Sequence, residues 1–209
     1  MNDLIKTVRN LKKDNVSIII DSRIQEFENI KDQNFGELFK ELCFCIMTAN
    51  CGAEKCIEIH EKIGNEFFTL SETELKERFK EYGYRFPNVR SKYIIEARGI
   101  KKEIEEKIQS QVVHDKELRN WLVKNVKGLG LKEASHFLRN IGYKNYSIID
   151  FHIVDILVKN GLIKKPKTLT KKTYLEIENI LMKLGDSLNL NMAELDLYLW
   201  YLETGKVLK

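Results

Sequence analysis

Lys132 and Asp150, eighteen residues apart, are the residues of this 209-residue chain best placed to do chemistry. Lys132 closes the run Lys127-Gly128-Leu129-Gly130-Leu131-Lys132, which lies between two stretches of helical apolar spacing. Two glycines two apart make a very tight connection between helices, because each can take a positive φ without steric cost. A hairpin of this kind turns its free backbone N–H groups outward at the start of the second helix. With the helix dipole behind them, those groups suit a phosphate. Lys132 falls in the first turn of that helix, where a cation is electrostatically misplaced. Asp150 follows the apolar pair Ile148-Ile149 and opens another helical run. An N-cap there needs only one carboxylate oxygen and leaves the other for chemistry. A phosphate grip, a lysine whose charge is disfavoured and an acid that could face it point to chemistry on nucleic acid.

Other reactive side chains are less suggestive. Cys43, Cys45, Cys51 and Cys56 crowd one stretch, but Cys43 and Cys45 are two apart on an apolar helix and point to different sides. No pair has the C-x-x-C spacing of common zinc or cluster sites, so buried thiols in a reducing compartment are expected and no metal site. His60, His114, His136 and His152 are scattered with no H-x-x-x-H pattern. Of these only His152, two residues past Asp150, is placed to line a site or cap a helix start. A zinc hydrolase and a Ser-His-Asp enzyme find no support.

The elements that must position these groups read as helices nearly throughout. Only two prolines interrupt a chain rich in Lys, Glu, Leu and Ile, so the expected class is all-α. The first ten residues are amphipathic, and Asp21-Ser22 ahead of Arg23 reads as a capped helix start. Phe35 to Thr48 is strongly apolar and is expected to form the central buried helix. Glu54 to Ile63 repeats at helical spacing, and Ser71-Glu-Thr-Glu74 matches a capping box. Tyr82 to Asn88 is an aromatic and basic break carrying Pro87. Helices are then expected over 89–97, 100–110, 115–126, 131–141, 150–161, 173–184 and 192–203, with Gly205 as a C-terminal stop. The Lys/Thr/Pro loop running to Lys172 is the best linker candidate.

Composition bounds the rest. A hydrophobic content of 43% and a charged content of 32% belong to a soluble globular protein, and the net charge of +4 is too mild to argue for nucleic acid. No apolar run approaches the ~20 residues of a membrane span, and the N-terminal residues lack a signal-peptide core. A cytosolic protein with no membrane partner is expected.

The hairpin with Lys132, and Asp150 eighteen residues on, resemble the helix-hairpin-helix DNA glycosylases. The likeness is closest to the archaeal-type 8-oxoguanine DNA glycosylase/AP lyases. It is carried by residues 126–143, 148–153, 167–181 and 194–209, and by RIQEF (23–27), ELCFC (41–45), TAN (48–50) and the RFP turn (85–87). It spans essentially the whole chain. The cysteine-ligated cluster of the endonuclease III-like relatives is missing, which argues against that branch. Ile148-Ile149 before the aspartate and Phe151 after it depart from the wider family's glycine, proline and aspartate signature.

The resemblance implies one glycosylase unit over 1–209, made of a hairpin lobe from the middle of the chain and a lobe of N- and C-terminal helices, with the active site in the cleft between them. It implies a monomer acting on damaged double-stranded DNA, with no required cofactor. Lys132 would be the nucleophile on C1′ of an 8-oxoguanine nucleotide and Asp150 its assistant, with β-elimination nicking the strand. Lys127, Gly128 and Gly130 would hold the backbone, Phe86 and Trp200 would stack on the flipped base, and Lys209 at the C-terminus would help line the base pocket. Asp196, one turn before Trp200, would add a polar contact. An amine attacks only when neutral, and at a reference pKa of about 10.4 only about one lysine in a few thousand is neutral at pH 7. The helix start, Lys127 and burial against DNA would raise that share, while Asp150 would accept the proton or stabilise positive charge on the sugar. Two alternatives remain at this point: a non-enzymatic hairpin DNA-binding protein, and a glycosylase for oxidised pyrimidines.

Overall fold

The computed structural model describes residues 2–110 and 115–209 and is all-α among them. His114 lies outside the described residues. Twelve α-helices follow in order: α1 Asn2–Leu11, α2 Val16–Lys31, α3 Phe35–Thr48, α4 Ala53–Ile63, α5 Glu72–Glu81, α6 Pro87–Gly99, α7 Lys101–Gln109, α8 Asp115–Asn125, α9 Leu131–Asn140, α10 Phe151–Lys159, α11 Lys171–Leu188 and α12 Met192–Thr204. A 3-10 turn, Gly64–Phe68, follows α4. The described chain forms two compact units, Met1–Lys31 with Leu138–Lys209, and Asp32–Phe137.

In the Asp32–Phe137 unit, α3 is the centre. Its residues from Phe39 to Met47 other than Lys40 are buried on every side of the helix, so it must be surrounded. Helices α4 and α6 and the 3-10 turn pack on it, and α5 packs on α6. Asn34 caps α3 by accepting from Gly36 N–H, and Ser71 and Glu74 form the expected capping box on α5. Pro87 sits at the first position of α6, where its missing N–H costs nothing. The Tyr82–Phe86 break is tied down by Tyr84, whose hydroxyl donates to Met47 O at 2.6 Å.

The other unit is built on α12, whose Leu195, Leu197, Tyr198 and Leu199 are buried. Helices α1, α2, α10 and α11 pack against it. Asn191 and Glu194 form a capping box at its start, and Gly205 ends it at φ 70°. Asp21-Ser22 does not start a helix. Helix α2 runs through it from Val16, because Val16, Ile20, Ile24 and Phe27 make one continuous buried stripe that outweighs the local capping signal. The 160–170 loop is not an interdomain linker either, since both its flanks belong to this unit.

Candidate active site

Of the two hairpin glycines only Gly128 needs its conformational freedom. It sits at φ 90°, and a Cβ there would meet Tyr93 Cδ2 at 2.7 Å, Arg90 Nη1 at 3.3 Å and Ile46 Cγ2 at 3.4 Å. The hairpin is thus pressed against α6 and the core at a point where no side chain fits. Gly130 is not in the left-handed region, which corrects the expectation that both glycines serve alike. It caps α9 instead: Ala134 N–H donates to Gly130 O at 3.0 Å, and Gly130 N–H donates to Glu133 Oε2 at 3.1 Å. This is half of a capping box, with glycine lacking the side chain for the other half.

Glu133 is the group that the sequence reading missed. Its carboxylate already holds Gly130 N–H, one of the amides expected to grip phosphate, and its second oxygen lies 3.8 Å from Lys132 Nζ. The signal was present as the spacing G-x-x-E over 130–133, hidden because the N-cap is glycine. Lys132 is the second residue of α9, and its side chain is only 22% exposed. Lys127 does not point freely at a partner: its ammonium pairs with Glu96 at 3.1 Å, although it stays largely exposed. Its charge is therefore offset locally by Glu96.

Phe86 is half-buried ahead of α6, with the Arg85 guanidinium 5.0 Å and the Arg90 guanidinium 5.9 Å from its ring centre. Arg90 is buried and joins three parts of this site. It faces Phe86 and Tyr93, touches the Gly128 turn, and donates from Nη2 to Ala49 O at 3.2 Å. Through it the hairpin, the aromatic break and the 48–50 segment are held together.

Asp150, Asp196, Trp200 and Lys209 belong to the other unit. Asp150 is the N-cap of α10, with φ −110° and ψ −172°, and its Oδ1 accepts from Ile153 N–H at 3.0 Å. The extended segment before it is fixed from behind. Tyr174 Oη donates to Ser147 O at 2.7 Å and accepts from Ile149 N–H at 3.3 Å, while Ser147 N–H donates to Glu178 Oε1 at 3.4 Å. A backbone clamped at Ser147 and Ile149 sets the direction of the Asp150 side chain.

His152, in the first turn of α10, packs edge-on to Trp200 at 4.7 Å and against the exposed ring of Phe151 at 3.9 Å. Trp200 is half-buried, and its indole N–H is buried without a partner among the described residues. The structure therefore brings Trp200 to the Asp150 end of α10 through His152. Asp196 is buried in an ion pair with Arg139, whose guanidinium also lies 4.8 Å from the Phe27 ring. Lys209 is half-buried. Among the described residues no group of three or more His, Cys, Asp or Glu side chains could hold a metal, and no helix is long and apolar enough to cross a membrane. Cys43, Cys45 and Cys56 are buried thiols as expected, whereas Cys51 is partly exposed.

Comparison with known proteins gives one consistent answer. A family model described as 8-oxoguanine DNA glycosylase matches residues 20–190. An 8-oxoguanine DNA glycosylase/AP lyase of Korarchaeum cryptofilum is 51% identical over 100% of this chain and 99% of its own length. That of Methanocaldococcus jannaschii is 51% identical over 99% of each. The crystal structure of the Methanocaldococcus jannaschii protein in complex with a 15mer DNA containing 8-oxoguanine matches with a TM-score of 0.94, at 50% identity and covering 99% of both chains. The 8-oxoguanine DNA glycosylase of Thermotoga maritima matches at 0.92 with 36% identity, over 100% of this chain and 99% of that one.

Proposed function

This chain belongs to the 8-oxoguanine DNA glycosylase/AP lyase family, and from that premise we propose that it excises 8-oxoguanine from DNA with Lys132 as the nucleophile and Asp150 as its assistant. The observation that carries the activity is the full-length likeness at about half identity to enzymes of that one activity. A non-enzymatic DNA-binding protein and a pyrimidine-lesion glycosylase lose their standing against it.

The target base is out of reach inside the duplex, so the nucleotide must turn out of the stack at a cost of a few kcal/mol. Backbone contacts at the Gly128–Leu131 hairpin would hold the flanking phosphates and carry no sequence information. For one of those amides the phosphate must share or displace the Glu133 carboxylate. Lys127 would add a cation at the edge of the grip. Phe86 and Trp200 would stack on the faces of the extruded base, each contributing ~1–3 kcal/mol by analogy with single-strand binding. The indole N–H of Trp200, buried without a partner among the described residues, fits a residue that turns a polar edge to the base. Asp196 would act through its pair with Arg139, fixing the face of α12 that bears Trp200.

In the chemical step the Lys132 amine forms a bond to C1′ as the glycosidic bond breaks, the electron pair leaving with the base. The amine must shed a proton, and Asp150 has one oxygen outside its N-cap bond to accept it or to stabilise positive charge on the sugar. Ring opening gives a Schiff base with C1′. Loss of a C2′ proton then expels the 3′ phosphate and nicks the strand. Guanine and 8-oxoguanine differ at N7, a lone pair in one and an N–H donor in the other, so an acceptor aimed at N7 separates them. A carbonyl near Lys209 would supply it. The test is Lys132→Gln on an 8-oxoguanine duplex: strand nicking and borohydride trapping should both vanish. An adduct still trapped by that variant would move the nucleophile elsewhere.

A further inference from the structure

Two cysteines that the reaction does not use meet at the start of α4. Gly52 is its N-cap, so Cys51 is the residue before the cap and Cys56 the fourth of the helix. These are the two positions whose side chains fold together in a hydrophobic staple, here filled by thiols. Cys56 is buried and its thiol donates to Met47 O with the Sγ 3.6 Å away, while Cys51 is partly exposed and its thiol interacts with that of Cys56. The segment leading into Cys51 is tied down: Arg90 donates to Ala49 O at 3.2 Å, Arg85 donates to Asn50 O at 3.4 Å, and Asn50 itself sits at φ 60°.

We propose that Cys51 and Cys56 form an oxidisable dithiol, in which a hydroperoxide attacks at Cys51 and Cys56 resolves the product into an intrachain disulfide. The staple brings the sulfurs together, partial exposure admits a small oxidant to Cys51 alone, and burial protects Cys56 until it is needed. The electrostatics point the same way. The neighbouring Cys56 side chain draws the Cys51 thiol down to about 6 against its partial burial, helped by the Gly52 and Arg85 amides and the Arg85 charge. Cys56, through its interaction with Cys51 and by burial, is pushed far up. Cys43, by contrast, is fully buried and pushed up by that burial, so it has neither access nor ionisation.

The step balances. The Cys51 thiolate takes one oxygen from hydrogen peroxide as the O–O bond breaks, giving a sulfenic acid and, after protonation, water. The sulfur of Cys56 then attacks the sulfenic sulfur, the S–S bond forms, and hydroxide leaves with the Cys56 proton as a second water. Once Cys51 no longer carries negative charge, the main cause that disfavours ionisation of Cys56 is gone. Cys56 also feels the positive charge of Lys132, so the modification would lie within electrostatic reach of the proposed nucleophile.

The full-length protein is titrated with hydrogen peroxide and digested under non-reducing conditions for mass spectrometry. The expected product is a peptide pair linked through Cys51 and Cys56, with the intact mass lower by two hydrogens and restored by dithiothreitol. Iodoacetamide labelling of Cys51 in untreated protein should rise with a midpoint near pH 6 rather than the ordinary value of about 8.5. In Cys56→Ser the same treatment should leave a Cys51 sulfenic acid that dimedone traps. Unlinked Cys51 carrying two or three oxygens in the wild-type protein, an unmodified Cys51, or labelling with an ordinary midpoint would each overturn the proposal. The wild-type measurements decide even if the variant fails to fold.

Discussion

Gly128→Ala tests whether the hairpin is held by shape. The substitution adds one methyl group, in two unfavourable ways. A φ of 90° lies where an L side chain is strained, at a cost of about 1–2 kcal/mol. The new Cβ also meets Tyr93 Cδ2 at 2.7 Å and Arg90 Nη1 at 3.3 Å. Arg90 cannot leave cheaply, since it is buried and engaged with Ala49 O, and its guanidinium lies 5.6 Å from the Tyr93 ring centre; overpacking of this kind costs roughly 1–3 kcal/mol. The sum is roughly 2–5 kcal/mol, a large share of the ~5–15 kcal/mol by which domains are stable. Gly130→Ala is the internal control. That residue has no positive φ and its Cβ would meet only the mobile end of Glu133 at 3.0 Å, so the weaker N-cap residue should cost about 0.5–1.5 kcal/mol. Urea unfolding followed by circular dichroism gives both numbers, provided the slope is unchanged. Tyr93→Ala should cost less in the Gly128→Ala background than in the wild type, because there it also relieves the clash while leaving the φ strain. Gly128→Ala costing no more than Gly130→Ala would refute the claim that the turn is fixed by its contact with α6.

Other expectations follow from the same geometry. Asp150→Asn should keep the cap on α10, since asparagine caps as well as aspartate, and so leave Tm nearly unchanged while slowing base removal by on the order of 10²–10⁴; a thermal melt beside a single-turnover assay separates the two. Glu133→Gln retains an acceptor for Gly130 N–H but removes a carboxylate from the phosphate grip, so DNA should bind more tightly by fluorescence anisotropy, and unchanged or weaker binding would show that Glu133 does not compete with phosphate. Arg139→Leu strands the buried Asp196 carboxylate and should destabilise the protein by about 3–5 kcal/mol in denaturant titration. Deleting Lys209 should narrow the preference for 8-oxoguanine over guanine in a competition assay, and full discrimination in its absence would remove Lys209 from the recognition site.

What the sequence made legible is what periodicity and punctuation encode. Phe35–Thr48 emerged with its limits because it is apolar all round, and Ser71, Asp150 and Gly205 marked ends because each performs a local task that its own side chain, or lack of one, makes possible. Misreadings arose where two local signals competed. Asp21-Ser22 carries a good capping signal, but the stripe from Val16 to Phe27 runs through it, and burial of four apolar side chains outweighs one cap. Illegible features were those that join residues distant in sequence. Nothing near Gly128 announces that Tyr93 and Arg90 will stand behind it, and nothing near Asp196 announces Arg139. The candidate site therefore divides by kind. Which groups could do chemistry follows from residue type and spacing. What holds each group in place lies in the tertiary partners: Arg90 for the hairpin, Tyr174 for the approach to Asp150, and Glu133 for the amide beside Lys132. A carboxylate seated on one hairpin amide while that hairpin awaits a phosphate is the clearest case. Its occupant is i+3 in sequence, so the contact is local, yet its consequence for binding appears only once the outward face of the hairpin is seen to be partly filled from within.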